Sequence, residues 1–336
     1  MPSSTSKGRG GLDTVELLHA SGATATVYLW GATLTSYCTA QCEEIIFVSP
    51  GAVFDGTQPI RGGVPVVFPQ FGRPDQRLPM HGFARTSTWS VDSIVDASEE
   101  TRAPPSPRLS TPSLPDALRP PPHPAPSRDP GLLLSLSESA ATLELWPHRF
   151  RLELTVRLSA ASLTMSLAAT NTGPAPFDFQ ALLHPYFRVE DVTGVVVRGL
   201  AGRSYVDKVD GGALKMLQAQ DLTLPSFTDR VHVGPTDQPG AEKDVLILSR
   251  GASPLGDLPP PPLRAVAATT NSARLMGEAV PCDVVVWNPH AAASPPDLPP
   301  PAYLHFVCVE PGLVAAHHTL PAGGQALICQ KIVPAG

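Results

Sequence analysis

The sequence predicts an all-β protein, a sandwich or barrel around one core. Two observations carry that expectation. Apolar residues recur at every second position in many short runs, and no run keeps helical spacing for three turns. Glycines fall where the runs stop, with Gly31, Gly51, Gly131, Gly173 and Gly251 at junctions that need turns.

Taken in order, the expected strands are TVELLHA (14–20), TATVYLW (24–30), EIIFVS (44–49), TWSVDSI (88–94), LLLSLS (132–137) and ATLELW (141–146). The clearest pair follows. In FRLELTVRLS (150–159) Phe150, Leu152, Leu154, Val156 and Leu158 point one way, and SLTMSLAATN (162–171) repeats the alternation, with an Ala-Ala between the two suggesting a hairpin. GVVVRGL (194–200), VLILS (245–249), DVVVW (283–287), LHFVCVE (304–310) and QALICQKIV (325–333) complete the set.

Composition narrows the function classes. The 336 residues are 42% apolar and 16% charged with a net charge of -6, enough for a sizeable core and without the basic face of a nucleic-acid binder. No apolar run approaches a membrane span. The polar start, MPSSTSKGRGG, shows no signal-peptide pattern; a cytoplasmic protein is the default, a plastid address for its Ser/Thr-rich start the alternative. Five cysteines form no CxxC and read as reduced thiols. Of the 40 prolines, 21 cluster in three segments, 103–131, 253–263 and 291–301, expected to be disordered or polyproline-II surface insertions. The strand pattern resumes after each, so residues 13–333 read as a single domain behind a flexible 1–12, and no leftover apolar face argues for more than a monomer.

Polar residues interrupt this apolar pattern at five places. Arg61 and Gln70 stand in RGGVPVVFPQFG, His81 and Arg85 in HGFAR, His184 in ALLHPYFRV, Asp229 in SFTDRVH, and Glu310 ends the apolar strand HFVCVE. Each has a plain reading: surface charges for the arginines, hydrogen-bonded core histidines, an ordinary turn at Asp229, a loop brace at Gln70. Glu310 resists one, because a carboxylate continuing FVCV is expected to be sheltered, and buried Glu is rare without a partner. As a set they supply a proton-carrying histidine, a sheltered carboxylate and two arginines suited to an oxyanion such as phosphate. That combination fits acid–base chemistry on a small anionic substrate. Zinc-protease, P-loop and nucleophile-elbow motifs are missing.

In order along the chain, RGGVPVVFPQFG, LPMHGFAR, WPHRF, HPYF, YVDK, TDRV, VVVWNP and VCVEPG together resemble the glucose-6-phosphate 1-epimerase (hexose-6-phosphate mutarotase) branch of the aldose 1-epimerase superfamily. The resemblance spans about residues 13 to 333. It implies a galactose-mutarotase-like β-sandwich and the interconversion of α and β anomers of a hexose 6-phosphate. It further implies that Glu310, as carboxylate, takes the C1 hydroxyl proton while His184, as imidazolium, protonates the ring oxygen. Arg61 and Arg85 match the positions that hold the substrate, phosphate included; His81 lies in the same binding loop, and Asp229 matches a sugar-contacting aspartate, with Asp207 of YVDK competing. No metal or other cofactor is implied. Met80 replaces a frequent Gln, and His290 a frequent Trp. An epimerase for unphosphorylated sugars and a non-catalytic carbohydrate-binding sandwich remain the alternatives.

Overall fold

A computed structural model describes residues 4–96, 129–236, 243–250 and 262–335. Within them the chain is almost wholly antiparallel β, as expected, arranged in three sheets. A four-stranded meander, Ser4–Lys7, Asp13–Leu18, Thr24–Tyr28 and Thr33–Cys38, covers one end. A ten-stranded sheet contains the hairpin Phe150–Leu158 and Leu163–Asn171, whose inward residues are buried and whose outward residues are partly exposed. An eight-stranded sheet is centred on Phe306–Leu320, flanked by Asp283–Asn288 on one side and Phe177–Leu183 with Tyr186–Arg188 on the other. One continuous apolar core joins side chains of all three sheets, including Leu34, Leu154, Leu167, Val307 and Val309.

Several expectations need correction. Residues 4–12 are not a loose tail: Ser4–Lys7 pairs with Asp13–Glu16, so its backbone groups enter a ladder. ATLELW is not a strand. Ala140–Leu145 is a short α-helix whose Ser139 accepts from the Thr142 N–H while the Thr142 hydroxyl accepts from the Ser139 N–H, a capping box that offsets the β-leaning composition. EIIFVS forms only isolated bridges, Glu44 to Cys38, Ile46 to Phe187 and Val48 to Gly62. The twelve-residue strand Arg264–Leu275 was not anticipated, because Ala, Thr and Ser give its alternation little apolar contrast.

The largest correction concerns the third proline-rich segment, 291–301, which is built into the structure. Leu298 is fully buried with Phe47, Tyr186 and Phe306, the Ser49 hydroxyl donates to the Asp297 carbonyl at 2.6 Å, and the Asp297 carboxylate accepts from Arg61. The other two segments, apart from their last residues, lie outside the described residues.

Candidate active site

On the outer face of the eight-stranded sheet, register sets the site. Residues directly opposite one another in antiparallel strands share a face, as do alternate residues along a strand. Asp229 lies opposite Trp287, Trp287 opposite Cys308, and Cys308 opposite Tyr186. Two residues further along Phe306–Leu320, Glu310 lies opposite Val285. Val307 and Val309 of the same strand enter the main core, so Cys308 and Glu310 face the other way. Gly312, which ends the EPG motif, allows close strand approach: a Cβ there would stand 2.4 Å from Leu182 Cβ.

His184 reaches this face from the break between Phe177–Leu183 and Tyr186–Arg188. Its ring stacks on Tyr186 at 5.0 Å and 14°, and its Nε2 is 3.5 Å from Glu310 Oε1. Glu310 is 0% exposed and His184 7%. His184 Nδ1 and both Glu310 carboxyl oxygens have no hydrogen-bond partner. Burial pushes Glu310 well above the usual carboxylate range, with the nearby Asp229 charge adding to it. Burial first, then Arg85 and Arg61, pulls His184 down to about 3. Both shifts favour the uncharged forms, a neutral imidazole beside a protonated carboxyl, over the imidazolium–carboxylate form that the resemblance implies, because a buried pocket holding two guanidinium groups disfavours a third positive charge.

HGFAR forms one wall. Phe83 is plugged into the core against Phe68 and Phe150, at ring separations of 6.2 and 5.5 Å, and His81 and Arg85 stand on either side of that plug. His81 has φ 63° and Gly82 φ 72°, and a Cβ on Gly82 would lie 2.0 Å from the Phe68 carbonyl oxygen. The turn therefore requires glycine there. The Gly72 N–H donates to His81 Nδ1 at 3.2 Å, which leaves the other ring nitrogen to carry hydrogen as a donor. Burial, Arg85 and then His184 hold His81 well below its ordinary value, so the ring is neutral.

A cavity of about 280 Å³ opens over the pair. Arg61, His81, Arg85, His184, Asp229 and Glu310 all line it. Arg61 is oriented by Asp297, which accepts from its Nε at 2.9 Å, and by the Tyr186 hydroxyl, 3.4 Å from its Nη1. Arg85 donates to the Met80 carbonyl at 2.7 Å and leaves its Nε without a partner. Burial and the neighbouring Arg61 pull Arg85 down to about 10, which still leaves it charged at neutral pH. Asp229, raised above its usual range chiefly by burial, faces the cavity. Asp207 does not: Lys215 at 3.0 Å and Arg230 at 3.6 Å hold it in a structural cluster beside the site.

Gln70 must be withdrawn as a substrate contact. Its amide nitrogen donates to the Asp75 and Pro79 carbonyls at 3.2 and 3.0 Å, and its oxygen accepts from the Asp75 N–H at 3.0 Å. It braces the loop leading into HGFAR from inside. Three contributors were missed. Lys208, 3.5 Å from Asp229 and over the Phe71 ring at 4.4 Å, is a third cation on the cavity. Tyr186 and Asp297 orient His184 and Arg61. YVDK and HPYF carried the first two signals, whereas Asp297 was hidden in proline-rich sequence.

Among the described residues no helix is long and apolar enough to cross a membrane. A family model described as aldose 1-epimerase matches residues 13–106 and 121–326. A protein of Cenchrus ciliaris named "Putative glucose-6-phosphate 1-epimerase" is 30% identical over 93% of this chain and 82% of its own length. A protein of Escherichia coli K12 with the same name is 29% identical over 92% of this chain and 86% of its own. A crystal structure titled as a "putative mutarotase" from Salmonella typhimurium superposes with a TM-score of 0.74 at 25% identity, covering 99% of this chain and 94% of that one. A galactose 1-epimerase structure from Lactobacillus acidophilus shares the fold at a TM-score of 0.62 and 13% identity, with 99% of each chain covered. With the β-sandwich, the matched segments and the buried histidine–glutamate pair in agreement, this chain belongs to the aldose 1-epimerase family.

Proposed function

We propose that the protein interconverts the α and β anomers of an aldohexose 6-phosphate, D-glucose 6-phosphate above all. The observation that carries this reading is the buried His184–Glu310 pair, 3.5 Å apart, on a cavity also lined by Arg61, Arg85 and Lys208. A neutral sugar has no use for three cations, whereas a sugar phosphate has one end to anchor and one end to react.

The bound phosphate offsets the charge of Arg61 and Arg85, two of the groups that hold His184 neutral. It thereby favours moving the shared proton from Glu310 to His184. The imidazolium then protonates the ring oxygen as the carboxylate takes the proton of the C1 hydroxyl. The C1–ring-oxygen bond breaks, and the open aldehyde turns about C1–C2. Reclosure on the other face returns both protons to their starting groups. His81, with its free N–H, and Asp229 are placed to hold sugar hydroxyls. One acid and one base suffice, each contributing roughly 10²–10⁴-fold.

The test is the rate of α-to-β exchange with glucose 6-phosphate and with glucose, read through a β-specific dehydrogenase, for the native protein and Glu310→Gln. Acceleration confined to the phosphorylated sugar, and lost in the variant, is expected. Equal acceleration of glucose would overturn the substrate assignment, and a near-normal kcat in Glu310→Gln would overturn the mechanism.

A further inference from the structure

The proposed reaction leaves one reactive group beside the His184–Glu310 pair without a task. Cys308 is buried two residues before Glu310, on the same face of the same strand and directly opposite Tyr186. One donor atom each from His184, Cys308 and Glu310 can be chosen so that all three lie within 4.8 Å of one another. We propose that these three side chains form a binding site for a borderline divalent cation, Zn²⁺ by its donor set, and that the ion inhibits turnover by occupying the acid–base pair. The inhibitory half rests on the acid–base role proposed above; the binding half does not.

The donors fit. One imidazole nitrogen, one sulfur and one carboxylate oxygen are the ligands zinc prefers. A tetrahedral centre with zinc bonds of ordinary length separates neighbouring ligand atoms by about 3.4 Å, and His184 Nε2 already lies 3.5 Å from Glu310 Oε1. The sulfur, within 4.8 Å of both, has to close the remaining gap by side-chain rotation. Neither carboxyl oxygen is engaged elsewhere in the protein, so no existing hydrogen bond has to break. A doubly charged ion held by a thiolate and a carboxylate leaves the dry floor with no net charge, whereas either anion alone is penalised there. The thiol proton leaves to solvent as the sulfur coordinates. Three protein ligands leave a fourth position free, and the cavity that His184 and Glu310 line gives the ion its way in.

Two features set the strength. The surrounding arginines and Lys208 repel a cation, and His184 Nδ1 lacks the outer hydrogen bond that stiffens strong zinc sites. The site is therefore a reversible one that a sugar phosphate and the ion contest. It is not a structural centre that the fold depends on.

Cobalt(II) is the probe. Added to the chelator-treated, reduced protein at mildly alkaline pH, it should give a thiolate-to-cobalt charge-transfer band in the near ultraviolet, saturating at one equivalent and bleached by Zn²⁺. Cys308→Ala should lose the band and bind Zn²⁺ roughly ten-fold or more weakly, while retaining anomer exchange in metal-free buffer. Zn²⁺ should slow exchange in the native protein and much less in the variant. Absence of the band in the native protein, or its survival in Cys308→Ala, overturns the site. Should the variant fail to melt cooperatively, the native spectrum decides alone. Zinc that bleaches the band without slowing exchange overturns the inhibitory half. A band with no exchange at all in metal-free enzyme supports the site and overturns the proposed function instead.

Discussion

Replacing Arg85 with methionine keeps an unbranched side chain about as long as the arginine stem beside Phe83 and removes the guanidinium and its charge. Two consequences follow from the geometry. The first is loss of a phosphate ligand. Arg85 is fixed at one end by the Met80 carbonyl and has an unpartnered Nε at the other. A charge-assisted hydrogen bond lost in this setting costs about 1.5–3 kcal/mol, which is roughly a 10- to 100-fold fall in kcat/KM for glucose 6-phosphate. Glucose carries no group for that guanidinium to hold, so its residual rate should stay within about two-fold, no binding interaction having been removed. The second consequence is electrostatic. After burial, Arg85 is the largest influence holding His184 at about 3. Without it the histidine takes up a proton at higher pH, and the acidic limb of the kcat/KM profile, which reports the free enzyme, should move upward. The assay is dehydrogenase-coupled anomer exchange across a pH series with both sugars. Equal losses on both substrates, or unchanged discrimination, would refute the assignment of Arg85 to the phosphate.

Lys208→Ala should raise KM for the phosphorylated sugar with little change in kcat, separable from Arg85→Met because Lys208 bears on His184 more weakly than Arg85 does; a large kcat effect would place Lys208 at the reacting end instead. Glu310→Gln should be more stable than the native protein at alkaline pH. The native carboxyl keeps its proton in the folded state while the unfolded chain releases it above about pH 4.3, so the native protein should lose stability relative to the variant as pH rises through that value. A urea midpoint difference independent of pH would contradict this. His232, fully buried beside Tyr205 with neither ring nitrogen partnered, is pulled down to about 3 by burial and then by Arg203 and Arg230. The unfolded chain takes up that proton near pH 6.5, so folding loses about 2 kcal/mol by pH 5, and His232→Leu should flatten the acid limb of the stability profile by that amount. Leu298→Ala should cost about 2–5 kcal/mol, the range for a fully buried leucine, and should raise KM as well; a surface-loop effect near zero in chemical denaturation would show that segment 291–301 is not a structural wall.

The architecture was legible because alternation is a local signal: Phe150 to Leu158 states its own face, and its partner 163–171 states the matching one. The proposed acid and base were legible as violations of the same signal, since a histidine in ALLHPYF and a glutamate after FVCV have no apolar reason to be there. What stayed hidden was non-local. Nothing near Gln70 announces that the Asp75 and Pro79 carbonyls will use up its amide. Asp297 sits 236 positions from Arg61, in a run whose prolines suggest only extended surface chain. ATLELW was misread because three residues of capping geometry outweigh a weak period. The charge state of His184 could not come from its neighbours in sequence at all, because two of its determinants, Arg61 and Arg85, arrive from a separate part of the chain.

The segment from Ala291 to Pro301 has a bearing on how such a protein can change. Glu310 sits within a paired strand, and His184 in the break between Phe177–Leu183 and Tyr186–Arg188, two paired strands whose register admits little variation. The proline-rich segment touches the same cavity through Ala293 and Pro295, yet it joins two elements as a connection whose length and sequence the sheet does not dictate. Chemistry and selectivity thus have separate custodians. A graft exchanging only the span between Asn288 and Ala302 with that of a relative would retune which sugar fits, while the reacting groups stayed where the sheet holds them, provided the newcomer restored an acid to face Arg61.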